Sequence, residues 1–244
     1  KKCVLTLARD RLGIKPLYWS QQGNTFIFGS ELKSLMAFPG FLSRENKSVA
    51  ASFLRHGYIC SPATIYEGVF QLPPGHLLIK SSDKKHEIFP YWSMKKVFNE
   101  GHKSVFQGSE EEATNELEAI LKDAVRLRLI ADVPVGAFLS GGYDSSLIVA
   151  LMNEVSNLKV KTFSIGFEQS EYNEAPFALK IAKHLNTDHT EYYISDQDIF
   201  NLIPKINDIY DEPFADVSQL PTQIICELAK KHVDVVLTGD GGDE

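Results

Sequence analysis

The chain of 244 residues carries 25 Lys and Arg against 32 Asp and Glu, a formal charge of −7, with 43% hydrophobic and 23% charged residues. That size allows more than one core, and the acidic balance without a basic block excludes a general nucleic-acid partner. No run approaches the ~18 apolar residues of a membrane span, and Cys3, Cys60 and Cys226 fit reduced thiols of a cytoplasmic protein better than a disulfide framework or a metal knuckle.

Residues 1–92 are rich in strand and turn signals. Short apolar segments at 4–8 and 17–19 read as strands, and Gly23-Asn24 followed by 25–28 predicts a hairpin. Short helices are expected over 31–38 and 48–56, the second ended by Gly57. Gln71-Leu72-Pro73-Pro74-Gly75-His76 is a rigid turn into a strand over 77–80. Arg9 and Asp10 are expected to form a structural ion pair. The polar stretch 93–108 reads as an aperiodic linker and marks the domain boundary, leaving 109–244 as the second domain.

Beyond it the rhythm changes. Ser109-Glu110-Glu111-Glu112 is a capping box for a helix with Ala113, Leu117, Ile120, Leu121 and Ala124 as its stripe, ended by Pro134. Strands at 133–139, 160–167, 190–194 and 233–238 alternate with helices over 145–153, around 177–185, around 199–209 and over 218–231. Such alternation predicts a parallel, doubly wound α/β sheet, whose ligands bind at the carboxyl ends of the strands.

Three loops carry chemistry. Ser140-Gly141-Gly142-Tyr143-Asp144-Ser145-Ser146 places backbone N–H groups, two glycines and three hydroxyls at a helix start, where the dipole favours an anion. Asp144 would repel a phosphate unless a cation intervened, so the loop implies Mg²⁺ with a polyphosphate such as ATP. No Gly-Lys-[Ser/Thr] follows, so it is not a Walker loop. Thr238-Gly239-Asp240-Gly241-Gly242-Asp243-Glu244 clusters carboxylates among glycines and suits a metal–phosphate site or the orientation of a reacting amine. Asp211-Glu212-Pro213-Phe214-Ala215-Asp216 is an acid-rich turn feeding Ser218 as a helix cap. The histidines show no ligand spacing, so no zinc is expected. Both termini read as cut, and the chain is expected to be a piece of something longer.

Ser-Gly-Gly-x-Asp-Ser-Ser resembles the pyrophosphate loop of the N-type ATP pyrophosphatases. The segments 211–216, Ser218-Gln219-Leu220-Pro221-Thr222 and Ser164-Ile165-Gly166-Phe167 with Ser170-Glu171-Tyr172-Asn173-Glu174 are similar to glutamine-dependent asparagine synthetases. Residues 8–19, 28–33 and 66–76 resemble the latter part of a class II glutamine amidotransferase domain. The resemblance implies a PP-loop (adenine nucleotide alpha-hydrolase) sheet preceded by the C-terminal part of an α+β Ntn-type glutaminase domain. It implies adenylation of the aspartate β-carboxylate by ATP to β-aspartyl-AMP and pyrophosphate, then displacement of AMP by ammonia from glutamine. Ser140, Gly141, Gly142, Ser145 and Ser146 would hold pyrophosphate, Asp144 and Asp243 would hold Mg²⁺, and Phe138, Ile165, Thr238 and Gly239 would meet the nucleotide. Asp240 is the acid linked to forming the adenylate; many family members carry glutamate there. The family's nucleophilic cysteine lies at the mature N-terminus and Cys3 does not match it, so residues 1–244 alone are expected to make no asparagine from glutamine. A sister ligase for another carboxylate acceptor, β-lactam-forming or acting on a sugar acid, stays open. So do an ATP-binding module without turnover and the oligomeric state, homodimer included.

Overall fold

Turn residues and alternating apolar positions build the first third of the chain into short strands. The structure, a computed structural model, describes residues 3–81, 85–168 and 173–242. Two compact units result: Lys1–Val105 with Lys205–Asp216, and Phe106–Pro204 with Val217–Glu244.

The first unit runs β1 (Val4–Ala8), β2 (Tyr18–Gln22), β3 (Thr25–Gly29), α1 (Leu32–Met36), α2 (Ala50–His56), β4 (Val69–Gln71), β5 (His76–Ser81), β6 (Glu87–Pro90) and α3 (Met94–Lys103). Its strands form two antiparallel sheets, ordered β1-β5-β6 and β3-β2-β4. The expected hairpin is the β2–β3 pair, with Gln22 opposite Thr25 across the turn. Because successive strand residues face opposite ways, β2 serves two cores. Trp19 stacks on Phe26 and Phe70 and packs with Leu7, Leu72 and Leu78, whereas Tyr18 joins Leu32, Leu35 and Val69.

Two expectations change here. Arg9 and Asp10 act on backbone: the buried guanidinium donates to the carbonyls of Lys15, Leu72 and Gly13, and the carboxylate accepts from the Ile14 and Lys15 amides at 2.9 Å. The stretch 93–108 is not aperiodic, for Ser93 caps α3 through the Lys96 amide, and Met94, Val97 and Phe98 recur at helical spacing on its exposed surface.

The chain then forms α4 (Glu110–Arg128), β7 (Val135–Phe138), α5 (Tyr143–Val155), β8 (Lys161–Phe167), α6 (Ala175–His184), β9 (Asp188–Ile194), α7 (Asp196–Leu202), α8 (Ile206–Ile209), α9 (Gln219–Lys230) and β10 (Val235–Leu237). Ser109 and Glu112 close the capping box reciprocally. The inward stripe of α4 is Leu121, Val125 and Leu129, while Leu117 and Ile120 lie exposed, and the helix stops before reaching Pro134. The helix expected around 199–209 is two, because Pro204, which has no amide hydrogen, sits in a 3₁₀ turn between α7 and α8.

All strands of the second unit pair in parallel, in the order β10-β7-β8-β9. One face is covered by α4, α5 and α6, where Val125, Ala137, Leu139, Val149, Met152 and Ala178 are buried together. The other carries Phe163 against Ile225 and Ala229 of α9. Each large side chain so buried contributes roughly 1.5–3 kcal/mol.

Within this sheet His189 is bound at both ring nitrogens, Nδ1 to Thr162 Oγ1 at 2.8 Å and Nε2 to Ser164 Oγ at 3.2 Å, and Thr162 continues to Thr187 Oγ1. Burial holds the His189 ring below the usual histidine range, with Glu191 opposing weakly. The unfolded chain therefore takes up this proton near pH 6.5 and the folded chain only at lower pH, so stability is full above that value and falls as the medium is acidified. Thermal melts from pH 8 to 5 should show that loss, and His189→Gln should flatten the curve over the acidic interval.

Candidate functional site

The chain adds β8 and β9 on one side of β7 and then returns past it to β10, so the direction of strand addition reverses between β7 and β10. In open α/β sheets ligands bind outside the carboxyl ends of the strands at that point. The loops leaving β7 and β10 meet there. A Cβ on Gly239 would lie 2.6 Å from the Ser145 amide nitrogen and 2.8 Å from the Asp144 carbonyl carbon. One on Gly242 would lie 2.6 Å from Asp144 Oδ1. At Gly239 backbone thus rests on the first turn of α5 with no room for a side chain, while Gly242 lies against the Asp144 side chain. On its other side the β7 loop abuts α6: Gly141 has φ +87°, and a Cβ there would come within 2.8 Å of the Ala178 amide nitrogen and Phe177 Cβ.

The hydroxyls divide into braces and a free group. Ser145 is buried, accepts from the Ser140 amide at 3.2 Å, meets Ser140 Oγ at 2.9 Å and donates to the Gly142 carbonyl at 3.3 Å. Ser140 Oγ accepts from the Gly142 amide at 3.2 Å. These bonds fold the loop onto the helix start and hold its shape. Ser146 Oγ, by contrast, is buried without a hydrogen-bond partner among the described residues. A water, ion or ligand accounts for orphans of this kind. The first-turn amides of Tyr143, Asp144 and Ser145 have no carbonyl one turn back, and together with the dipole they favour an anion.

Of the residues picked from sequence, the structure unites Ser140, Gly141, Gly142, Asp144, Ser145 and Ser146 with the turn at Gly239. In that turn Gly242 N–H donates to the Gly239 carbonyl at 3.1 Å and Asp240 N–H to Thr238 Oγ1 at 3.4 Å. Phe138 and Ile165 lie on the α9 face, packed with Phe163, Ile225, Ala229 and Val233. Phe138 also lines a cleft of about 340 Å³ with Cys226 and Val236. Asp243 and the segment 170–172 lie outside the described residues. The segment 211–216 belongs to the first unit instead. Sequence reasoning missed Phe177 and Ala178 as a wall of the loop; paired glycines announce a close approach, but nothing local names the partner.

Among the described residues no three His, Cys, Asp or Glu side chains gather to hold a metal by themselves. Mg²⁺ needs no such cage, since it is bound by one or two carboxylates with substrate phosphates and water. Asp144, beside the anion-favouring helix start, fits that mode, and the orphan Ser146 hydroxyl with the side-chain-free cradle fits a polyphosphate.

The asparagine synthase family model matches residues 116–244. The chain belongs to the asparagine synthase family. A glutamine amidotransferase domain model matches residues 1–92. The chain is 42% identical over its full length to a Methanocaldococcus jannaschii protein provisionally named asparagine synthetase 2, glutamine-hydrolyzing, and covers 47% of that protein. It is 35% identical to asparagine synthetase 1, glutamine-hydrolyzing, of Bacillus subtilis, over 99% of this chain and 37% of that one. An amidase of Gibberella zeae is 31% identical over 98% of the chain and 37% of its own length. The chain thus spans less than half the length of these relatives. Among solved structures, an NH3-dependent NAD synthetase from Campylobacter jejuni overlaps half of the chain at 17% identity with a TM-score of 0.37; the fold assignment rests on the sheet order and the family match.

The two loop glycines separate strain from space. Gly141→Ala in this chain forces an L-residue into the left-handed region, about 1–2 kcal/mol before the overlap with Phe177 is counted. At Gly142 a Cβ meets only Ser140 Oγ, at 3.3 Å. Urea unfolding should show a clear loss of stability for Gly141→Ala and a much smaller one for Gly142→Ala.

Proposed function

We propose that the whole protein of which this chain is part converts aspartate to asparagine, using ATP and ammonia released from glutamine. The observation that carries the reading is the seating of the Gly239–Gly242 turn on the first turn of α5, which builds an anion cradle from backbone beside Asp144. The family membership and the relatives named for asparagine synthesis support it. In this reading residues 1–92 are part of the glutaminase domain, 93–108 connect, and 109–244 begin the synthetase domain.

Negative charge builds on the pyrophosphate as the aspartate carboxylate attacks the α-phosphorus. The α5 amides and the Ser146 hydroxyl meet that charge already oriented, because Ser140 and Ser145 brace the loop from within. Thr238 and Gly239 hold the nucleotide, and Asp240 orients the reacting carboxylate. Phe138 and Ile165 contribute through their strand backbone, since their side chains are packed under α9. Asp144 and Asp243 would hold Mg²⁺, which when bound would supply charge neutralisation on the phosphates. Among the described residues no helix is long and apolar enough to cross a membrane.

A second reading, amidation of a different carboxylate on the same scaffold, is favoured by the likeness to the fungal amidase. A panel of carboxylic acids scored by pyrophosphate release separates the two, and aspartate should lead it. In the full-length protein Asp144→Ala should lower aspartate-dependent pyrophosphate release by on the order of 10²-fold or more while glutamine hydrolysis stays near the unsubstituted rate. Unchanged pyrophosphate release overturns the assignment.

A further inference from the structure

Residues 205–216 stand in sequence between α7 and α9, both in the second unit, yet they are part of the first. Their fastening is specific. Asp211 accepts from the Leu32 amide at 2.6 Å and the Lys33 amide at 3.4 Å, and pairs with Lys33 Nζ at 3.3 Å. Glu31, the residue that opens α1, makes no side-chain cap bond, so the cap of this helix comes from an acid 179 positions further on. Lys33 Nζ also donates to the carbonyls of Asp208 and Ile209 at 3.1 and 3.0 Å. Glu212 Oε1 accepts from the Ile65 amide, and the Ala215 amide donates to the Gly57 carbonyl, each at 2.6 Å.

These bonds reach the core of the unit. Leu32 and Leu35 of α1 are buried with Tyr18 of β2 and Val69 of β4, and Ile65 and Tyr66 pack against the same cluster. The Tyr18 hydroxyl reports the acids, for burial followed by the charges of Glu212 and Asp211 pushes it up to about 12. Glu212 is itself pushed up by burial and then by Asp211, opposed by the Ile65 amide. An acid-rich turn that merely faced solvent would sit in neither environment.

We propose that Asp211 and Glu212 are positioning residues of the amidotransferase unit: acids carried by the synthetase part of the sequence cap α1, anchor the Ile65 turn, and so hold the unit in the form that serves the glutamine-dependent step. The bonds stand on the structure alone, whereas the reaction used to test them rests on the function proposed above.

The test uses the full-length protein with Asp211→Ala, Asp211→Asn and Glu212→Gln. Asn caps a helix about as well as Asp, so its amide oxygen can keep the bond to Leu32. Asp211→Ala should lower glutamine-driven asparagine formation about tenfold while leaving formation from added ammonium within about twofold, and should speed hydrogen exchange at the Leu32 and Lys33 amides about tenfold. Asp211→Asn should restore both readouts. Glu212→Gln should keep most of the Ile65 bond and act weakly. Equal loss of the glutamine- and ammonium-driven reactions, failure of Asn to rescue, or unchanged exchange at Leu32 and Lys33 overturns the proposal. If the unsubstituted protein makes asparagine from neither nitrogen source, the functional reading fails by itself, and the exchange comparison still decides whether the acids hold α1.

Discussion

A backbone contact governs the second unit. The turn after β10 lies on the first turn of α5 so closely that a Cβ on Gly239 would collide with backbone of Asp144 and Ser145, and one on Gly242 with the Asp144 side chain. Close approach of this kind is available only to glycine, and it requires β7 and β10 to be neighbours. That adjacency follows from the return of the chain past β7, so the site depends on the order in which the strands were laid down. The cores on either face, Val149 and Met152 on one side and Phe163 with Ile225 on the other, hold the strands in that order. Ser140 and Ser145 then shape the loop from inside, leaving the helix-start amides without carbonyl partners one turn back.

The first unit solves a different problem with the same economy of parts. Its sheets are short, and β2 must feed two cores at once through Trp19 and Tyr18. Its helix α1 has only five residues and no cap of its own, and an isolated helix that short is not stable. Asp211 supplies that cap and Glu212 anchors the Ile65 turn, although both lie among the elements of the parallel sheet in sequence.

Much of this was legible residue by residue. The alternation of buried strands and amphipathic helices announced the parallel sheet, the Gly23-Asn24 pair announced the β2–β3 hairpin, Gly57 ended α2 in the left-handed conformation, and Ser109 with Glu112 formed their capping box. Each of these is a local effect, decided within a turn or two of chain. Readings that needed a distant partner fared less well. The expected stripe of α4 shares Leu121 with the face that packs but also took in Leu117 and Ile120, which lie exposed, because its partner α5 selects the face. Arg9 was matched to its neighbour Asp10, although three carbonyls, one of them at Leu72, take its donors.

Local pattern alone specifies the helix start at Ser140–Ser146, the glycines of both loops and the parallel character of the sheet, since each is written in short-range order. Folding in three dimensions set that Gly239 and Gly242 press on Asp144 and Ser145, that Ser145 braces the loop while Ser146 Oγ has no hydrogen-bond partner among the described residues, and that Asp211 caps α1. Those outcomes join residues far apart in the chain, and no local propensity carries the position of a partner that folding alone brings near.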